Sequence, residues 1–319
     1  MISRRLLRVK GLQILYSFFA NESATIERSE KELHQSIDKT YELYNYILLL
    51  LVDIVNYADN KISVGKDKYL PTQNELFPNT KFIENKVIKQ IRDNRQFSTY
   101  LRNSKISWTA YPVLIRKLYA TIVESGFYKK YLNSTEKSFE EDKELVIKSL
   151  KFVIGNSEEL YQTLEELSIF WNDDIEYVIS IIVKIIKNME EGTAPEIDFI
   201  DPETNSEDMD FAHTLFRKTI LGHNENKSLI ERFAKNWDVE RIASIDILIL
   251  EMAIVEITEI VSIPVKVSFN EYIEISKFYS TDKSSNFING ILDKIINHLQ
   301  EENLIKKRGR GLIKGKKKV

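Results

Sequence analysis

The chain has no cysteine, only ten glycines and six prolines in 319 residues, and no apolar run longer than Tyr46 to Val52. Without thiols there is no disulfide framework, no thiolate zinc site and no cysteine nucleophile, which suits a reducing compartment. So few turn-formers exclude a sandwich or barrel, which would need a tight turn every ~8–12 residues. The apolar run stops at Asp53, far short of the ~18–20 residues that cross a bilayer. No small-residue cleavage site follows the N-terminal cations, so the expectation is a chain that starts at Met1, carries no secretory signal and works in the cytoplasm. What is present, 43% hydrophobic and 29% charged residues, is the material of one large or two ordinary globular domains built from helices.

Catalytic chemistry is equally scarce. No glycine-rich loop could cradle a phosphate, and His34, His213, His223 and His298 are scattered without metal-ligand spacing. Neighbouring acids such as Asp173-Asp174 sit among 48 acidic residues, where solvated faces and helix N-terminal charges account for them. The expectation is therefore no enzyme activity, no metal and no cofactor.

A formal charge of −3 conceals a segregation. Residues 1–20 hold Arg4, Arg5, Arg8 and Lys10 and no acid, while 305–319 hold a basic run from Lys306 to Lys318, again with no acid. Every acidic residue lies between them. Clustered cations can neutralise phosphates and release counterions, whereas an acidic body repels non-specific nucleic acid and could accept a basic protein.

Helical periodicity runs almost throughout. Ser3 would cap a first helix whose stripe is Leu7, Gly11, Ile14, Leu15 and Phe18, with Arg4 and Arg8 bordering it and Arg5 further toward solvent. Capping boxes are read at Ser29 with Glu32, Ser138 with Glu141 and Ser268 with Glu271. Residues 61–80 read as irregular and 192–208 as a linker. From Val239 to Val261 nearly every residue is apolar except Asp246, Glu251, Glu256 and Glu259, predicting a central helix ended by Pro264. A Ser/Thr-rich loop from Ser280 to Asn286 then leads to a last helix beginning near Phe287, in which Gly290 suggests close approach of another helix. Residues 141–178 can also be laid loosely over 207–245, so duplication of a helical unit and coincidence both stay open.

Two separated stretches carry a family resemblance. Arg4-Arg5-Leu6-Leu7-Arg8, then Gly11, Gln13 and Leu15-Tyr16, resembles the arginine-rich opening of the NusB family. Asn236-Trp237, Arg241-Ile242, Ile247 to Ile257, Ile263-Pro264-Val265-Lys266-Val267, Phe269-Asn270-Glu271-Tyr272 and Phe287-Ile288-Asn289-Gly290-Ile291-Leu292-Asp293 resemble its C-terminal bundle, in the family's own order. The resemblance implies an all-α fold: a NusB-like helical bundle with an inserted, possibly duplicated, helical region. Its expected divisions are 1–22, first helix; 23–203, insertion; 204–300, C-terminal bundle; and 301–319, a basic flexible tail.

The function it implies is RNA-binding transcription antitermination on a boxA-like ribosomal RNA leader, with the small-subunit ribosomal protein NusE and the transcription elongation complex as partners and no membrane. Arg4, Arg5, Arg8, Lys10, Gln13, Tyr16, Lys283, Ser284 and Phe287 would then face RNA, and Asp246, on an exposed rim, and Glu251 would face the protein partner. Guanidinium groups and exposed aromatics are the right chemistry for phosphates and unpaired bases. Glu251 departs from an arginine that family members tend to carry. Two other readings stay open: a ribosome-biogenesis scaffold whose acidic insertion binds proteins, and the helical part of a ribosomal RNA methyltransferase, for which the chain shows no α/β domain.

Overall fold

The computed structural model describes residues 4–192, 206–234 and 242–308, and within these the side chains of Ser206, Asp282 and Lys283 are outside the described set. Fifteen α-helices and two short 3-10 turns, and no strand, occur among the described residues. In order they are α1 (Arg4–Ala20), α2 (Ile26–Lys66), α3 (Gln73–Leu76), α4 (Lys86–Asp93), α5 (Arg95–Asn103), α6 (Pro112–Glu124), α7 (Gly126–Asn133), α8 (Phe139–Phe152), α9 (Glu158–Leu167), α10 (Ile175–Asn188), α11 (Ser206–Leu221), α12 (His223–Phe233), α13 (Ser244–Glu259), α14 (Val265–Tyr279) and α15 (Asp282–Glu301). None of the described helices is long and apolar enough to cross a membrane.

The chain divides into two compact units, one made of Met1–Ile37 with Pro202–Val319 and the other of Asp38–Asp201. The first boundary falls inside α2.

In the first unit, α13 is the central rod. Leu248, Ile249, Leu250, Met252, Ala253, Ile254, Val255 and Ile257 are all buried, as the apolar run predicts. The helix is shorter than the run: it ends at Glu259, five residues before Pro264, which instead opens α14. Lys307 closes the free end of α13 by donating its ammonium protons to the carbonyls of Glu256 (2.9 Å) and Ile260 (2.8 Å), a cation placed where the helix dipole is negative. Burial pushes Lys307 down to about 8. The start of the expected flexible tail is thus docked, and Arg308 N–H adds a bond to the Val261 carbonyl at 3.0 Å.

Three of the local sequence expectations change for identifiable reasons. The N-cap of α2 is provided by Thr25, whose hydroxyl accepts from Arg28 N–H, leaving Ser29 inside the helix and buried. The Ser/Thr-rich run is mostly helix: Thr281 caps α15 and accepts from Ser284 N–H at 3.2 Å. Gly290 meets nothing within 4 Å of where a Cβ would stand, whereas at Gly11 that carbon would touch Met252 Cε at 3.4 Å. Ser138 does cap α8, accepting from Glu141 N–H at 3.2 Å. Ser3 and the linker residues 193–205 lie outside the described residues.

The second unit wraps α4 to α10 around the apolar half of α2, where Leu43, Tyr44, Ile47, Leu50 and Ile54 are buried. Its aromatic groups are pinned by their polar ends: Trp108 Nε1 donates to the Tyr46 carbonyl (3.0 Å) while Tyr46 Oη donates to the Ser107 carbonyl (2.8 Å).

Because Gly290 is exposed in mid-helix with open space around it, Gly290→Ala should raise stability by about 0.5–1 kcal/mol through helix propensity alone. Urea unfolding checks it; a loss of stability would mean that another helix does pack there.

Candidate RNA-binding face and the ion pairs beneath it

Three residues of α1 set its position. Arg8 lies at spacings of three, four and seven before Gly11, Leu12 and Leu15, all buried, so the helical repeat carries it into the core with them. There its guanidinium donates two parallel bonds of 2.7 Å to Glu256 on α13. Glu256 also accepts from Ser268 Oγ at 2.7 Å and Tyr272 Oη at 3.0 Å, so a fully buried carboxylate is satisfied on both oxygens. Burial works most strongly against the Arg8 charge, but bonding to Glu256 together with the charges of Glu256, Tyr272 and Glu271 outweighs it and leaves the pKa raised.

The expectation that the arginines border the stripe and stay available is therefore corrected for Arg8, only 2% exposed, and Lys10 is buried as well. Ser268 and Glu271 are not a capping box either. Both are spent on the pairs under α1, and α14 starts four residues earlier than the pattern suggested.

Arg5 stays half in solvent and forms a two-pronged pair with Glu271 at 2.8 Å. Bonding to Arg5 holds the Glu271 carboxyl below its usual range, against a smaller opposing contribution from burial. Gln13 Nε2 donates to Tyr279 Oη at 3.4 Å. Arg5 to Gln13 and Glu271 to Tyr279 are both eight residues apart, so α1 and α14 run alongside each other in the same direction. Arg4 lies 3.6 Å from Asp208 and over the Phe211 ring, on α11.

Along one side of α1, Arg5, Val9, Gln13, Tyr16 and Ser17 form a stripe at least partly open to solvent, with Tyr16 51% exposed, and Phe19 and Ala20 are exposed at the end of the helix. Arg5 and Tyr16 lie about 16 Å apart along this stripe at 1.5 Å per residue. Phe287, named as a stacking candidate, is 4% exposed and belongs to the core of the unit, because it shares its helix face with Ile288, Ile291 and Leu292. Ser284 is half-buried beside the Thr281 cap. The Lys283 side chain lies outside the described residues, as do Asn236, Trp237 and the arginine at 241.

The acids expected to meet a protein partner are also inside. Asp246 sits in the first turn of α13, not on an exposed rim, and accepts from Ser280 Oγ. Glu251 is fully buried, with His223 Nδ1 at 3.0 Å from Oε2; burial raises its pKa, partly offset by the bond to His223. The His223 ring lies against Phe19 of α1, centroids 4.3 Å apart. Sequence spacing missed this trio, although an acid in an apolar run was the available signal. No group of His, Cys, Asp and Glu that could hold a metal ion occurs among the described residues.

The model of the NusB family matches residues 176–297, from α10 into α15. The transcription antitermination protein NusB of Salinibacter ruber is 44% identical over 113 residues, spanning 35% of this chain and 68% of that protein. The chain belongs to the NusB family. The corresponding protein of Chloroherpeton thalassium is 35% identical over 137 residues, 43% of this chain and 63% of its own length; that of Natranaerobius thermophilus is 38% identical over 99 residues, 31% and 71%. A solved T. maritima NusB structure aligns with 24% identity and a TM-score of 0.28, covering 43% of this chain and 84% of that one. The NusB match takes in α11 to α15, and α1, outside it, is seated against α11, α13 and α14 of that same bundle through Arg4, Arg8 and Arg5.

Removing one side of a buried pair strands the other charge, at about 3–5 kcal/mol, while replacing both by apolar groups is often nearly neutral. Arg8→Met should therefore destabilise strongly and Arg8→Met with Glu256→Leu much less; equal losses in urea unfolding would show that the pair is not what holds α1. Glu271 supplies a pH test. Its folded pKa is depressed, so its contribution is complete above the unfolded carboxylate value near 4.5 and is lost as pH falls below it. Glu271→Gln should lower stability at neutral pH and flatten the acid-side decline, as read from melting temperatures across that range.

Proposed function

We propose that this chain is a non-catalytic, cytoplasmic transcription antitermination factor that binds a boxA-like ribosomal RNA leader together with the small-subunit ribosomal protein NusE, on the transcription elongation complex. The observation that carries this reading is the α1 stripe: one half-exposed guanidinium, one amide and one exposed phenol in line on the bundle that matches NusB. Arg5 would supply the phosphate contact by exchanging Glu271 for RNA, Gln13 an amide for a base edge, and Tyr16 a ring for an unpaired base. Arg4 borders the stripe. Arg8 and Lys10 act beneath it, holding α1 in place rather than touching RNA. Asp246 would serve the protein partner by fixing the turn between α14 and α15 through Ser280, and Glu251 by setting His223 and Phe19 at the surface.

Filter binding of leader RNA against a scrambled RNA of equal length, with and without the ribosomal protein, tests the reading. Leader RNA should bind more tightly, and the partner should widen the gap. Tyr16→Ala should cost ~1–3 kcal/mol, the worth of one stacked base, and Arg5→Gln should reduce the salt slope by about 0.7, one single-strand phosphate contact. Equal affinity for both RNAs, or variants that bind as the parent does, would overturn the assignment.

A further inference from the structure

In the acidic second unit, one stretch has the opposite sign. Residues 86–117 contain Lys86, Lys89, Arg92, Arg95, Arg102, Lys105, Arg116 and Lys117 against a single acid, Asp93. The stretch folds as α4, α5 and the start of α6, with Asn94 ending α4 and capping α5 through Phe97 N–H at 2.8 Å. Val87, Ile88, Ile91 and Phe97 turn into the core of the unit, so the helical repeat leaves the cations outside. On α5, Arg95, Thr99 and Arg102 follow at spacings of four and three and are all exposed, with Gln96, Asn103 and Lys105 beside them. Arg95 and Arg102 are thereby about 10 Å apart on one face.

The pairing of these cations sets them apart from those of α1. Arg4, Arg5 and Arg8 each face a carboxylate. At the two ends of the basic stretch Lys86 pairs with Glu191 and Lys117 with Glu159, and Arg92 donates to Asn56 beside Asp53. Between those ends, Lys89, Arg95, Arg102 and Lys105 have no ion-pair partner among the described residues; Arg102 meets only the Thr99 hydroxyl. The α2 acids Asp38 and Glu42 act on the Tyr100 side of α5, and Glu42 is already taken by Lys39. Three unneutralised cations on two adjoining helices and a fourth, Lys105, just past the end of α5, with amide and hydroxyl donors among them, make a phosphate-binding face.

We infer that the α4–α5 face of the second unit is a second RNA-contact surface, one that grips the phosphate backbone without reading sequence. The choice of RNA over an acidic protein rests on the antitermination reading above. The face is independent of α1, so its loss should leave discrimination between RNAs intact.

The test uses the full chain, with leader RNA, scrambled RNA and polyuridylate as probes. Arg95→Gln/Arg102→Gln/Lys105→Gln should weaken binding to all three alike, reduce the slope of log affinity against log salt by about 2 and cost roughly tenfold at low salt. The ratio of leader to scrambled affinity should not change. Arg95→Lys/Arg102→Lys, which keeps the charge, should bind as the parent does, and an unaltered circular dichroism spectrum in both variants separates lost contacts from lost fold. An unchanged slope in the triple variant overturns the second surface while leaving the α1 reading standing. A reduced slope in a protein that never preferred leader RNA would sink the antitermination reading and keep this one. Preferential capture of polyglutamate over polyuridylate by the parent chain, abolished in the triple variant, would reassign the face to an acidic protein and overturn the proposal.

Discussion

The bond between Arg8 and Glu256 joins the beginning of the first unit to its centre. A guanidinium and a carboxylate taken out of water cost several kcal/mol each, and only near-ideal geometry with every remaining lone pair satisfied makes up for it. Here both conditions are met, by two parallel 2.7 Å bonds and by the hydroxyls of Ser268 and Tyr272. The pair thereby fixes which turn of α1 faces α13 and which face of α14 meets them both. The exposed stripe of α1, and with it Arg5 and Tyr16, exists where it does because Arg8 points the other way.

That arrangement recasts the arginine-rich opening of the chain. Three guanidinium groups close together look like one electrostatic feature, yet they occupy three different environments. Arg4 leans on α11, Arg8 is in the core and Arg5 shares its charge between Glu271 and water. In the proposed RNA contact, a phosphate arriving at Arg5 would compete with a carboxylate already in place, so the face would favour partners that bring additional contacts. The family membership rests on the bundle that α1 packs against, and the bundle is what gives the stripe its setting.

Much of the fold was legible in the amino-acid order. The run before Pro264 announced the buried rod, Ser138 its cap on α8, and the scarcity of glycine and proline the lack of a sandwich or barrel among the described residues. What stayed hidden was decided by contacts far apart in sequence. Ser268 with Glu271 satisfies the local capping pattern, but Ser268 reaches Glu256 and Glu271 reaches Arg5, interactions that no window of neighbouring residues contains. Asp246 and Glu251 were visible as exceptions in an apolar run; that they are buried with Ser280 and His223, rather than exposed to a partner, required the third dimension. The stripe itself was half legible, since the wheel turned Arg5 toward solvent but left Arg8 on the rim, and Tyr16, which follows an apolar stripe, was marked out by the family resemblance alone.

The matching offset of Arg5 with Glu271 and Gln13 with Tyr279, and the deeper contact of Arg8, act together as teeth on a rack. Adding or removing one residue within α1 would turn everything beyond it by about 100°, bringing the guanidinium out and an aliphatic side chain onto the Glu256 carboxylate. Changes of chain length are tolerable only after the last tooth has engaged. The additional unit of this protein begins at Asp38, past the end of α1 at Ala20, and so enlarges the molecule without disturbing that engagement.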